Sequence, residues 1–414
     1  MSRFLSHQAL ELLRIPEFRS YIIARFFFIL VLNMQATLIS WKVYEITKDP
    51  LSIGMIGLVE FVPAFVMAFY AGYIIDRKDK RKLLIMSIAA NLLLTVSFAV
   101  LTSDIGMRNL PKGLLLTGIY AIAFGTGIAR AFSGPTSFSL VSKLVPQDKL
   151  PSGITWHSGT WQVAAVSGPA LAGLLYGKTS LTFTFMLMIA CMILSFGVSF
   201  FISPKPATAT QREETILQSI MEGFRFVWKT KEILGALSLD LLAVFFGGAT
   251  ALLPYFSDEI LKTGPEGLGM LRSAPALGAI TLMLWLTFRP LKGLQGRKML
   301  FSVAGFGICI IIFGISRNFW LSAAALFLSG ILDGISILVR STILQMKTPD
   351  EMRGRVASLN SIFIMSSNEL GAFESGVAAR LMGVVPAVIF GGCMTIIVSI
   401  GTWIKSPTLR KMEY

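Results

Sequence analysis

Glu60, Arg130, Asp240, Asp333, Arg340 and Glu369 lie inside long apolar runs of this 414-residue chain. An ionisable side chain in such a setting costs several kcal/mol unless it is paired or hydrated, so each is a functional candidate. The chemistry they suggest is the handling of protons and charge, not bond breaking. A carboxylate in apolar surroundings can take a proton on one side of a barrier and release it on the other. Asp240, Asp333, Glu60 and Glu369, in that order, are the proton-coupling candidates. Other chemistry lacks material. The two histidines, His7 and His157, stand far from Cys191, Cys309 and Cys393, which all sit in apolar runs and read as buried packing. No nucleophile accompanies a base and an orienting acid, and no phosphate-binding glycine loop is present. The expectation is no enzymatic activity, no metal, no cofactor and no ATP-driven work by this chain.

The elements that carry these residues follow from composition. The chain is 54% hydrophobic and 14% charged, with mean hydropathy +0.70, too little polar residue to cover a soluble core. The apolar runs are continuous and not alternating, which selects helices over a barrel. Breaks at Gly, Pro and charge clusters predict spans near 19–43, 53–75, 83–101, 113–136, 153–176 and 181–202. Six more follow near 233–257, 267–287, 298–315, 319–342, 356–381 and 384–404. Between the sets, Ser203 to Glu232 is too polar to span. Ile216, Ile220, Phe224 and Val227 recur there at helical spacing and predict an amphipathic helix on the membrane surface. The fold expected is an all-α membrane protein of twelve transmembrane helices in two pseudo-symmetric six-helix bundles, residues 1–202 and 233–414, joined by a linker at 203–232.

The charge pattern orients this layout. The formal net charge is +14, but most Lys and Arg fall in loops on the side of the N-terminus, the positive-inside bias. Both termini are therefore expected in the cytoplasm. The five bases of Arg77, Lys78, Lys80, Arg81 and Lys82 anchor the second loop, with Lys78 and Lys80 read as solvated charges. Nucleic-acid binding would need basic and aromatic residues on a shared soluble face, which is absent. The first twenty residues lack a cleavable leader's short apolar core. Instead Phe4, Leu5, Ala9, Leu12 and Leu13 suggest an interfacial helix. Arg25, one or two turns into the first span, reads as snorkelling to the surface.

The halves repeat each other. Gly127 matches Gly330 and Gly168 matches Gly371 at one offset, and Arg81-Lys82 is echoed by Arg297-Lys298. With the six-plus-six layout this indicates duplication. Gly72-x3-Asp76-Arg77 followed by Lys80-Arg81 resembles the loop signature of the major facilitator superfamily, with Asp79 where that family usually has Gly. Ala164-x3-Gly168-Pro169-x2-Ala172-Gly173 resembles its antiporter motif, with Ala at two usual Gly positions. Pro16-Glu17-Phe18-Arg19, Glu222-Gly223-Phe224-Arg225-Phe226-Val227 and the stretch from Leu344 to Val356 are similar to the branch containing the enterobactin exporter and macrolide efflux pumps.

That resemblance implies a secondary-active transporter working by alternating access, with spans 1, 4, 7 and 10 around a central cavity. On that plan Arg130 and Asp333, equivalent at the repeat offset, would face each other across the pseudo-twofold axis. Arg340, two turns from Asp333 on the same face, is an alternative partner or a snorkelling residue. Asn33, Gln35, Ser238 and Asn368 are polar cavity candidates, and Met34, Trp41, Phe245 and Phe246 an adaptable apolar wall. Gly247-Gly248 with Pro254, and Gly330 with Gly334, mark hinges or close contacts. Conformational gating falls to Gly72, Asp76, Arg77, Arg81, Gly168, Pro169 and Arg355, with Asp76 latching near Arg355. The function implied is proton-coupled efflux, by antiport, of an amphiphilic small molecule such as a drug or siderophore. A proton-coupled metabolite importer and a lipid or lysolipid flippase are the alternatives. Partners are the substrate, protons and the lipid bilayer; a monomer in the bacterial inner membrane is expected.

Overall fold

The computed structural model describes residues 11–205, 216–289 and 293–413, with residues 69, 72, 73, 76, 216–220, 287 and 350 described by backbone alone. The expected helix through Phe4, Leu5 and Ala9, and the conformations of Gly72 and Asp76 beyond their place in a helix, lie outside the described residues.

Long helices run through the chain as α1 (Pro16–Thr47), α2 (Pro50–Arg77), α3 (Lys80–Leu101), α4 (Lys112–Leu144), α5 (Leu150–Lys178) and α6 (Leu181–Ser199). The amphipathic linker helix Ile216–Lys229 follows. Then come α7 (Lys231–Phe246), α8 (Gly264–Phe288), α9 (Gln295–Ile315), α10 (Phe319–Lys347), α11 (Arg353–Met382) and α12 (Val384–Lys405). Among the described residues, ten of these segments are long and apolar enough to cross a membrane. The other two, α5 and α11, have 29 and 30 residues, ample length for a bilayer, but carry more polar side chains. They occupy the same fifth place in each half.

Local chemistry sets the ends. Asp79, Ser180 and Asn318 accept hydrogen bonds from the first amides of α3, α6 and α10, satisfying donors a helix start leaves open. Asp79 does so at φ −61°, so this turn needs no glycine, which explains why Asp can replace the family's usual residue. α7 ends at Phe246 with Gly247 as its cap; a 3₁₀ turn (Ala249–Leu252) and a π turn (Phe256–Ile260) carry the chain onward. The expected break at Gly247 and Gly248 is therefore present. α10 runs unbroken past Gly330 and Gly334, so these are contact points and not hinges: a Cβ on Gly330 would lie 1.9 Å from the Pro275 carbonyl oxygen.

The chain forms two compact units, Met1–Ile46 with Val62–Gln211, and Thr47–Phe61 with Arg212–Tyr414. The first three turns of α2 thus pack with the second unit. Small residues allow it. A Cβ on Gly54 would come within 2.9 Å of Gly376 Cα, and one on Gly57 within 2.4 Å of the Glu369 carbonyl oxygen. Lys48 reaches Asp258 at 2.6 Å and Arg380 reaches Asp49 at 3.7 Å. The core of the second unit includes Ile233, Leu237, Met299, Val339 and Ile343, with Val227 of the linker helix inserted into it.

Candidate functional site

In the second unit Asp240, two turns into α7, forms an ion pair with Arg340, two turns before the end of α10. Their side chains are only 6% and 4% exposed. Arg340 is therefore engaged in the interior, and the snorkelling alternative is corrected. A neighbouring helix supplied a carboxylate that spacing along α10 could not reveal. Asp333 lies seven residues before Arg340 on one face of α10 and acts electrostatically on both members of the pair. Arg340 Nε is buried without an acceptor. The cluster thus holds two carboxylates, one guanidinium and one unused donor. Arg130 stands exposed on α4, in the other unit.

A second cluster has the same composition. Arg272 on α8 interacts electrostatically with Glu60 on α2 and Glu369 on α11. Packing explains the meeting: Glu60 is one turn beyond Gly57, whose α-carbon lies against the Glu369 backbone. Glu60 and Glu369 were expected from sequence; Arg272 was missed. Its signal was available, since it falls inside the predicted span 267–287 and obeys the same rule as the other ionisable residues. Glu374, about 140° round the helix from Glu369 by five residues of helical advance, faces elsewhere. It lines an open apolar groove of about 440 Å³ with Phe245, Leu370, Phe373, Val377 and Phe390, among others. Phe245 and Phe246 pack edge to face, 5.0 Å between centroids, and Phe246 meets Phe390 at 6.4 Å. Asn368 is exposed and donates to the Ile364 carbonyl of its own helix.

In the first unit Gln35 is buried and both ends of its amide are used. Nε2 donates to Thr126 on α4, and Oε1 accepts from Thr95 on α3 at 2.7 Å. This corrects the cavity reading: Gln35 ties three helices together. Asn33 donates to the Ile29 carbonyl. Gly168 and Pro169 are buried in α5, where a Cβ on Gly168 would lie 2.6 Å from Asn33 Cβ and 2.9 Å from the Leu30 oxygen. The motif's use here is the close approach of α5 to α1. Arg25 is buried, donates to the His157 carbonyl at 3.4 Å and does not snorkel. Tyr21 donates to the Ser137 carbonyl and shares a 2.7 Å bond with His157 Nδ1. Sequence reasoning passed over Tyr21, one aromatic among many in its run, and weighed His157 only as a metal ligand, so their bond was missed.

The basic loop splits. Arg77 and Lys78 are exposed. Lys80 is buried and donates to the Ile75 carbonyl at the end of α2, correcting its reading as a solvated charge. Arg81 donates to the Phe200 carbonyl at 2.9 Å and lies over that ring at 5.8 Å. Arg355, at the start of α11, donates to Glu222 of the linker helix at 2.5 Å.

Paired six-helix sets, buried charges on α7 and α10, and close glycine contacts between helices define a membrane transporter of the major facilitator type. Solved structures of that type match nearly the whole chain. A POT family transporter in complex with 5-aminolevulinic acid gives TM-score 0.72 at 13% identity, covering 95% of this chain and 96% of that one. A D-xylose-proton symporter gives 0.72 at 12%, covering 96% and 100%. At such identities they show the fold. Residues 8–413 match the family described as transmembrane secretion effector, and the chain belongs to that family of the major facilitator superfamily. Transport, not catalysis, is its work. The enterobactin exporter EntS of Shigella boydii serotype 18 is 24% identical over 403 residues, 96% of this chain and 94% of the exporter.

Proposed function

We propose that the chain is a proton-coupled antiporter that expels an amphiphilic small molecule, such as a siderophore or drug, across a bacterial inner membrane, with both termini in the cytoplasm. The observation that carries this is the buried Asp240–Arg340 pair with Asp333 beside it. With all three ionised the cluster carries one surplus negative charge, which a proton balances. A proton on Asp333 or Asp240 changes the hold on Arg340, and Arg340 joins α7 to α10. Loading and unloading that proton therefore alters the packing of two helices that would line the cavity of a transporter of this type. Arg130, Asn33 and Asn368 remain substrate candidates, and the groove beside Phe245 suits an apolar body. Full-length similarity to an exporter supports the outward direction.

Everted vesicles from cells overproducing the protein test this. Uptake of a siderophore, macrolide or dye on energisation, collapsing with a protonophore, is expected. Uptake of none of them, or uptake indifferent to the protonophore, would refute the reading. The open, largely apolar groove favours a second reading, a lipid or lysolipid flippase, because an amphiphile can enter such a groove from the bilayer. Protein-dependent movement of a fluorescent lysolipid between leaflets of reconstituted liposomes, without soluble-substrate uptake, would select it.

A further inference from the structure

The linker helix Ile216–Lys229 has one face that the protein uses and one that it leaves open. Gly223 and Val227 face inward: a Cβ on Gly223 would lie 3.1 Å from the Leu359 side chain and 3.2 Å from Arg355 Cβ, and Val227 is 2% exposed. Glu222 holds Arg355. Met221, Phe224 and Trp228 are 48%, 42% and 64% exposed. Phe224 and Trp228 stack, with centroids 5.8 Å apart. At 100° per residue these three form a stripe about 60° wide, well away from the face that meets α11. Arg225 and Lys229, also exposed, adjoin the stripe on its far side, and all five residues line one shallow groove of about 400 Å³.

Position fixes what this face meets. Only Thr230 separates the helix from α7, so the helix lies at the level where α7 enters the bilayer. The order around it is protein, then aromatic stripe, then cations, then Glu222 on Arg355, which sets the stripe toward the lipid interface with its bases at headgroup level. Choline headgroups are neutral overall and gain nothing from Arg225 and Lys229; an anionic phosphate-bearing headgroup does.

We propose that this groove is a binding site for an anionic phospholipid, the acyl chain against Met221, Phe224 and Trp228 and the headgroup on Arg225 and Lys229. Two cations, each worth roughly five-fold near an anionic surface, give a preference of up to about thirty-fold over phosphatidylcholine. Because Glu222, next to Lys229 around the helix, clasps Arg355, the lipid would hold the start of α11 through the same helix.

The test uses the full chain in nanodiscs of phosphatidylcholine with a fixed small fraction of either brominated phosphatidylglycerol or brominated phosphatidylcholine. The chain has seven tryptophans, so the signal of Trp228 is taken as wild type minus Trp228→Phe, which keeps the aromatic stack. Stronger quenching by the brominated phosphatidylglycerol, with the preference lost in Arg225→Gln/Lys229→Gln, is expected. A Met221→Cys nitroxide, read for collision with oxygen against a water-soluble relaxant, gives a second measure of depth independent of tryptophan. Equal quenching by the two lipids would overturn headgroup selection. No quenching by either, with a water-exposed label, would place the face outside the bilayer and overturn the site.

Discussion

Removing one member of the Asp240–Arg340 pair leaves the other charged and buried. Both side chains are more than nine-tenths buried, the regime in which breaking a pair costs about 3–5 kcal/mol. Arg340→Met leaves two carboxylates, Asp240 and Asp333, without a cation, so its loss should lie at the high end, about 4–5 kcal/mol. Asp240→Leu leaves Arg340 with Asp333 as counter-charge, so its loss should lie at the low end, about 3 kcal/mol. The double variant exchanges the pair for apolar side chains and leaves only Asp333, so it should recover part of the loss, to within about 1–2 kcal/mol of wild type. Unfolding of the four proteins in detergent, analysed as a double-mutant cycle, measures this. Transport in everted vesicles should be lost in all three variants, the restored double included. A double variant that is stable and transports normally would reduce the pair to packing. Single variants as stable as wild type would show that the two charges are not buried against each other.

Gly168→Ala should cost about 1–3 kcal/mol, because its Cβ must displace Asn33 and the Leu30 backbone. Gly159→Ala on the same helix meets nothing within 4 Å and should be neutral or stabilise by up to about 1 kcal/mol; thermal unfolding of the two compares them directly. Gly57→Ala, with its Cβ 2.4 Å from the Glu369 oxygen, should push α2 from α11 and cost about 1–3 kcal/mol in thermal unfolding. Asp79→Ala should cost about 0.5–2 kcal/mol through lost capping of α3, whereas Asp79→Gly should cost only a few tenths. Equal losses for both would mean that the cap contributes nothing measurable.

Hydropathy and breaker residues located the long helices because each span's apolar run is a local property. Gly247-Gly248 announced the break in α7 for the same reason. What spacing within one helix cannot show is the partner on another. Arg340 was legible as an intramembrane charge, but its acceptor stands a hundred residues earlier on α7. Gln35 was legible as a polar group in a span, but nothing local says that Thr95 and Thr126 consume both ends of its amide. Lys80 misled because a run of charges reads as solvated, while the turn at Asp79 folds that one lysine back onto the Ile75 carbonyl. Arg272 is different, since its signal lay in a span already drawn and only the rule was left unapplied to it.

Including Arg272 changes the charge accounting. The second unit, taken with the first turns of α2, holds two clusters of two carboxylates and one guanidinium: Asp240, Asp333 and Arg340, and Glu60, Glu369 and Arg272. A chain selected only for stability would replace such groups with apolar ones of similar volume, at no cost or with a gain. Keeping one cluster could be an accident of packing. Two of them, drawn from five different helices, fit the proposed proton coupling, in which a carboxylate of either cluster would carry the proton. The first cluster ties α7 to α10, and the second couples charges on α2, α8 and α11 electrostatically. Neutralising them one at a time would therefore loosen different helix contacts, and a carrier that must open to two sides in turn requires contacts that can be released separately.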